Sequence, residues 1–340
     1  MNGRAFREIR LNLRKSQGEL KDELNRRLGR SYDKPKISRW ENDREPVPDE
    51  VAEALASMSN SERHRARTLV LANQKGGVGK TTSALNLAYA FGLLKLRVLL
   101  IDMDPQATAT AALLATGGAE VYRQGRTTAQ LILSNRPAGE VIIRSSEVIE
   151  GRSVPLDFLA SHIDLAETDG RREPGFDAAL REAIDPIRAE YDWIVVDAPP
   201  NLGMLTWMSL AAGDETIVPV RTEPYDTMGV GLIVSTIGKI QRRLNPGLRL
   251  SGVLPTQYGA RKSVDREVLS HLINMMENRA PVLEPVPASA IFGHAARAGR
   301  VALEASPTAA ATAVYVRLAT ALHNRTPLPL AELSSNEGDH

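Results

Sequence analysis

Residues 74 to 82 read Gln-Lys-Gly-Gly-Val-Gly-Lys-Thr-Thr, between an apolar run at Thr68–Ala72 and a segment of helical character at Thr81–Leu94. So glycine-rich a stretch suits neither a helix nor a strand interior. Between a strand and a helix it describes a loop whose backbone N–H groups converge on an anion, helped by the positive end of the helix that follows. That constrains the fold. The loop must leave the carboxyl edge of a parallel sheet, and the next helix must pack on a face of that sheet.

The apolar runs agree. Thr68–Ala72, Arg97–Ile101, Trp193–Val196, Glu215–Val220 and Leu250–Leu254 are near-continuously apolar, as strands buried on both faces must be. Helical segments separate several of them. The fold class expected is α/β, a mostly parallel, doubly wound sheet, with a small all-α domain ahead of it. The expected boundaries are a helical module at 1–57, a polar linker or the end of a connecting helix at 58–67, the sheet domain at 68–325 and a flexible tail at 326–340. The stretch from about 115 to 190 yields no clear element pattern.

Within the loop, Gly76, Gly77, Val78, Gly79, Lys80, Thr81 and Thr82 are the candidate nucleotide-binding residues. Lys80 supplies a point charge, and the Thr81 hydroxyl suits a magnesium ion bridging terminal phosphates. The ordinary pattern has glycine where this chain has Gln74, and Lys75 directly precedes the glycines. Three acids stand at the ends of apolar runs: Asp102 and Asp104 in Leu-Leu-Ile-Asp-Met-Asp-Pro-Gln, and Asp197 in Trp-Ile-Val-Val-Asp-Ala-Pro-Pro. At the carboxyl ends of parallel strands they would meet the bound phosphates, where carboxylates can hold a cation and position a water.

Together these motifs closely resemble the deviant Walker ATPases of the ParA/Soj/MinD group, from residue 68 to about 325, and the Asp-Met-Asp-Pro-Gln form resembles the ParA/Soj branch. The resemblance implies ATP and Mg²⁺ as cofactors and a homodimer that sandwiches nucleotide. It implies that Lys75 reaches the partner's ATP, that Lys80 and Thr81 bind phosphate and magnesium in their own subunit, that Asp104 orients the attacking water, and that Asp102 and Asp197 act near the magnesium shell. It further implies DNA binding without sequence preference and a ParB-like partner that stimulates hydrolysis. The chain has no cysteine, so it departs from the iron–sulfur member of the wider fold family. Its end is short, acidic and interrupted by proline, unlike a basic membrane-binding helix.

The first residues have a different character. Residues 4–39 carry about 12 Lys and Arg against 5 Asp and Glu, although the whole chain has a formal net charge of +1. Clustered cations of this kind suit a phosphate backbone. Leu11, Leu20, Leu24 and Leu28 fall at helical spacing. Ser16 with Glu19 reads as a capping box, and Asp33 as the cap of a further helix with Pro35 in its first turn. Residues 16–24 and 36–42 resemble the two central helices of phage-repressor helix-turn-helix domains. That likeness places Ile37 and Trp40 in a core and leaves Lys34, Lys36, Ser38 and Arg39 to face DNA. The Asn25–Tyr32 connection is longer than the usual tight turn, so a dimerisation or structural role stays open beside DNA binding. Arg261 and Arg297 are candidate non-specific DNA contacts on the larger domain, and Lys239, Arg242 and Arg243 form another basic cluster.

No apolar run reaches membrane-spanning length and no signal peptide is apparent, so the expected location is cytoplasmic and nucleoid-associated, without membrane binding. The leading expectation is a plasmid or chromosome partitioning ATPase with autoregulation through its first module. A nucleotide-controlled transcription regulator and a cargo-positioning ATPase are the alternatives.

Overall fold

The computed structural model describes residues 1–13, 15–63, 65–114, 118–147, 154–171 and 173–332. They form two compact units, Met1–Arg65 and the chain from Ala66 onward.

The first unit contains four helices: α1 (Gly3–Asn12), α2 (Gln17–Leu28), α3 (Lys34–Glu41) and α4 (Asp49–Arg63). Local chemistry sets their ends. The Ser16 hydroxyl accepts from Glu19 N while the Glu19 carboxylate accepts from Ser16 N, closing the expected capping box. Asp33 caps α3 by accepting from Lys36 N at 2.8 Å. Phe6, Leu13, Leu20, Leu24, Ile37, Trp40, Val51, Leu55 and Met58 are buried together. Phe6 and Tyr32 both pack against the Trp40 indole.

Three expectations change or narrow here. Leu11 is 55% exposed, and Phe6 and Leu13 fill the core from α1 instead. The link between the central helices runs from Gly29 to Asp33, shorter than the expected Asn25–Tyr32, because α2 continues to Leu28 and Gly29 stops it in the left-handed conformation at φ 62°. Finally, of the two readings of 58–67, residues 58–63 take the helical one. They are the last turns of α4, anchored by the buried Met58.

The second unit is built on a six-stranded sheet of β1 (Arg67–Leu71), β2 (Val98–Asp102), β3 (Asp157–Leu159), β4 (Trp193–Asp197), β5 (Glu215–Arg221) and β6 (Arg249–Thr256). Every pairing is parallel, in the order β3-β2-β4-β1-β5-β6. β1 therefore begins within the stretch expected to be a linker or helix end, and the three-residue β3 lies in the stretch the sequence left unparsed. Alternation along β1 feeds two cores. Val70 packs on one face with Leu99, Ile101 and Val196; Leu69 and Leu71 pack on the other with Leu100 and Val195. The long helix after the glycine loop, α5 (Lys80–Leu93), lies in the second core, where Phe91 stacks on Trp193 with ring centroids 4.4 Å apart.

The chain leaves β1 for β2 and β3, returns to β4 beside β1, then crosses to β5 on the other side. This switch opens the crevice at the carboxyl ends of β1 and β4, where open parallel sheets bind ligands. The stretch expected to be a free tail is partly tied down. Leu330 bridges to Leu283, and Ala331 N donates to Val282 O at 3.0 Å. Residues 333–340, the rest of that expected tail, lie outside the described residues.

Candidate nucleotide-binding site

The turn from β1 into α5 holds the glycine loop. Gly77 and Gly79 take φ values of 73° and 86°, where a Cβ would be strained. At Gly79 a Cβ would also press against the Thr256 side chain at 3.4 Å. The loop is braced from the ends of two other strands. Thr256, the last residue of β6, donates from Oγ1 to Val78 O at 2.9 Å, and Gln257 Nε2 donates to Gly77 O at 3.1 Å. Asn73 Nδ2 donates to Pro219 O at 2.7 Å while its Oδ1 accepts from Lys75 N at 3.2 Å. The backbone is thus held in a curved shape before any ligand arrives.

Lys80 is buried, with its Nζ donating to Lys75 O at 2.8 Å. Burial lowers its pKa, opposed by the negative charge of Asp197 and Asp104. Gly76 and Gly77 are exposed, while Thr81 and Thr82 are half-buried in the first turn of α5.

The three strand-end acids differ from one another. Asp102 and Asp197 are direct register partners across β2 and β4, and both are fully buried. The Asp102 carboxylate is engaged by its own chain. It accepts from Asp104 N at 3.1 Å, Thr110 N at 2.9 Å and Thr110 Oγ1 at 2.8 Å. Desolvation still pushes its pKa up to about 6. Neither oxygen of Asp197 makes a hydrogen bond of normal geometry among the described residues, although Thr81 is close enough to favour its charged form. Burial, and then the neighbouring Asp102, push the Asp197 pKa well above the ordinary aspartate value. Asp104, also buried, accepts from Gln106 N at 3.0 Å.

A buried carboxylate without donors, beside a threonine hydroxyl and a buried lysine, is the environment a hard oxygen-seeking cation would relieve. Magnesium therefore fits the residues present. Among the described residues, no three acidic or histidine side chains gather into a ready-made cage. This suits Mg²⁺, which keeps waters and takes ligands from substrate phosphates.

Lys75 is ion-paired within its own chain to Asp226, in the first turn of the helix Pro224–Arg243. Asp226, Thr256 and Gln257 were not singled out from sequence. The rule that ligands gather at carboxyl ends of strands points to Thr256 and Gln257 once β6 is carried two residues beyond Leu254.

The expected DNA contacts are scattered. Lys34 is exposed, but Lys36, Ser38 and Arg39 are half-buried, and both Lys36 and Arg39 are ion-paired to Glu45. Arg261 and Arg297 are exposed on the second unit, as are Lys239, Arg242 and Arg243 at the end of the helix Pro224–Arg243.

A family model described as an AAA domain matches residues 66–250. The chromosome-partitioning ATPase Soj of Thermus thermophilus is 34% identical over 258 residues, 76% of this chain and 95% of that protein. The chain belongs to the ParA/Soj family of P-loop ATPases. The chain spans under two thirds of some relatives it matches: an uncharacterized protein of Mycobacterium tuberculosis is 37% identical over 210 residues, 61% of this chain and 63% of its own length. Among solved structures, cobyrinic acid a,c-diamide synthase from Mycobacterium smegmatis with bound ATP analog and magnesium has a TM-score of 0.66 at 29% identity. That likeness covers 78% of this chain and all of the synthase. The ParA/Soj assignment accounts for the parallel sheet, the glycine loop and the paired strand-end acids. No helix among the described residues is long and apolar enough to cross a membrane.

Proposed function

We propose that the chain is a Mg²⁺-dependent ATPase of the ParA partitioning type, whose nucleotide state controls its hold on DNA. The observation that carries this is the pair of buried charges at the switch point: Lys80 beneath the loop, its ammonium on the Lys75 carbonyl, and Asp197 with no hydrogen-bonded partner among the described residues. A triphosphate with its metal supplies a counter-charge to each. The loop N–H groups and Lys80 hold the phosphates, and Thr81 with Asp197 faces the metal. When bound, Mg²⁺ neutralises charge on the terminal phosphates. Asp102 acts behind Asp197 rather than on the metal, since its oxygens are taken by Thr110 and the Asp104 amide. Asp104 orients the attacking water. Phosphoryl transfer depends on such positioning and charge stabilisation more than on covalent chemistry.

In this reading Lys75 completes the partner's site, so that two copies sandwich two nucleotides. The dimer holds DNA through exposed cations such as Arg261 and Arg297, and a ParB-like protein triggers hydrolysis and release. The four-helix unit is a helix-turn-helix module for operator DNA, with α3 presenting Lys34 to the major groove. The support is its two capped central helices and the short turn after Leu28. The same unit also suits a nucleotide-controlled transcription regulator, which a footprint on the chain's own promoter would favour.

The test is hydrolysis and DNA retention in the full-length chain. Lys80→Ala is expected to lose ATP binding, Lys75→Ala to bind ATP without dimerising, and Asp104→Ala to dimerise and retain DNA while hydrolysis falls at least about 100-fold. Normal turnover in Asp104→Ala would remove its assigned role. DNA retention that ignores nucleotide in the wild type would remove the partitioning cycle.

A further inference from the structure

The Lys75 ammonium is already spoken for. It pairs with one oxygen of Asp226, and its side chain is 40% exposed while that of Asp226 is 0% exposed. The other Asp226 oxygen accepts from Arg221 Nε at 3.0 Å. Arg221, at the end of β5, pairs in turn with Glu223. The Asp226 carboxylate also sits in the first turn of a 20-residue helix, where the helix dipole favours a negative charge.

We propose that Asp226 is a latch acting in cis, holding Lys75 within its own chain and so setting the threshold at which two copies close around nucleotide. This rests on the sandwich dimer proposed above and concerns its regulation. Three features suit a pair that opens. The Lys75 side chain is 40% exposed and can leave, whereas the fully buried Asp226 cannot. When Lys75 leaves, Asp226 keeps Arg221 and the helix N-terminus. Opening therefore does not strand a bare buried charge, the usual reason such pairs are costly to break. The loop backbone is also held independently of the Lys75 side chain, by Asn73, Thr256, Gln257 and the Lys80 bond to Lys75 O. The ammonium can swing without dismantling the nucleotide cradle.

The competition has a clear sign. In the separated chain, Lys75 shares one carboxylate with Arg221. At a phosphate it meets several charged oxygens, with charge-assisted bonds in a site closed to water. Whatever stabilises the cis pair is subtracted from dimerisation, because a ligand shifts an equilibrium only by its preference between the two states. Asp226 is a positioning residue in this scheme. It touches neither nucleotide nor metal.

Two measurements on the full-length chain test it. In the first, amine labelling of the nucleotide-free protein is followed by mass spectrometry, with exposed Lys239 as the internal reference. Lys75 is expected to label several-fold faster in Asp226→Asn than in wild type, and equal rates overturn the pairing. The second is the protein concentration for half-dimerisation at saturating Mg²⁺ and a non-hydrolysable ATP analogue. Asp226→Asn is expected to lower it about tenfold. Arg221→Gln, which leaves Asp226 with Lys75 alone, is expected to raise it, and this keeps the test decisive should the Asp226 variant fold poorly. An unmoved midpoint in Asp226→Asn overturns the latch. A wild type that never dimerises with nucleotide overturns the sandwich reading and its regulation together, while the labelling arm still decides the pairing.

Discussion

Each unit holds a cluster of buried charge, and the two clusters are treated in opposite ways. In the four-helix unit, Arg10 and Glu41 are buried and meet each other. Glu41 also accepts from Gln17 Nε2 at 2.7 Å, and Arg10 Nη1 donates to Lys15 O at 2.7 Å. In the sheet unit, Asp197 is buried with no hydrogen-bonded partner among the described residues, and Asp102 is raised to a pKa of about 6 by desolvation. A satisfied network holds one conformation in place, whereas an unsatisfied one marks where a ligand is missing. The Arg10–Glu41 network is thus complete as it stands, although the buried Trp40 Nε1 of the same unit has no hydrogen-bond partner among the described residues. The cluster in the sheet unit is completed by what it binds.

The contrast is broken most directly at Glu41. Glu41→Ala leaves the Arg10 guanidinium buried with only a carbonyl, and removing one partner of such a pair costs about 3–5 kcal/mol. That is comparable to the whole stability of a domain this small. Urea unfolding followed by Trp40 fluorescence is expected to show the helical unit unfolded or nearly so, with the Trp193 signal of the sheet unit unchanged. A loss below about 1 kcal/mol would mean that the network is ornamental.

The next test reverses the sign. Asp102 has its folded pKa raised from 3.8 to about 6. A carboxyl with a raised pKa binds more protons folded than unfolded, so its contribution to stability is present below pH 4 and is lost as pH rises to about 6. Asp102→Asn removes that dependence. Relative to wild type, the nucleotide-free variant is expected to gain up to about 3 kcal/mol on going from pH 4 to pH 7. Asparagine offers one acceptor oxygen where Asp102 uses two, which lowers the variant's stability at both pH values, and loss of the Asp102 charge also eases the raised pKa of Asp197, which acts in the same direction as the gain. Denaturant curves at several pH values read it directly. A pH-independent difference would mean that Asp102 is solvated in a way its burial denies.

How much was legible follows the same division. The long buried strands announce themselves because both faces are apolar, and the glycine loop because its chemistry is local. Asp102 and Asp197 were visible as acids ending apolar runs. Their difference was not, since Asp102 is satisfied by Thr110 from a following helix, and only packing brings those groups together. β3 has three residues, too few for a periodic pattern, and sits among short helices and 3-10 turns. The Lys75–Asp226 pair spans 151 positions, so no spacing rule reaches it. In the helical unit the caps were readable from Ser16, Glu19 and Asp33. Leu11 misled because α1 turns Phe6 and Leu13 inward instead.

The smallest effect sharpens the comparison at the surface of the helical unit. The expected DNA-facing cations Lys36 and Arg39 share Glu45, whose pKa is lowered by the hydrogen bond from Lys36 and the nearby charge of both cations. This self-satisfaction works against DNA binding, because a phosphate must displace Glu45 before it gains either cation. Exposed ion pairs are weak and screened by salt, so the gain from removing Glu45 is modest. Glu45→Gln is expected to raise the affinity of the full chain for duplex DNA about two- to fivefold at low salt. It is also expected to steepen the log–log salt dependence by about one to two ions, as one or two more phosphates become neutralised. Lys34, exposed with no ion pair among the described residues, sets the reference: Lys34→Ala should weaken binding and flatten the slope by about one. If Glu45→Gln moves neither affinity nor slope while Lys34→Ala moves both, α3 meets DNA through its first turn alone, and Glu45 holds Lys36 and Arg39 for the fold of the unit.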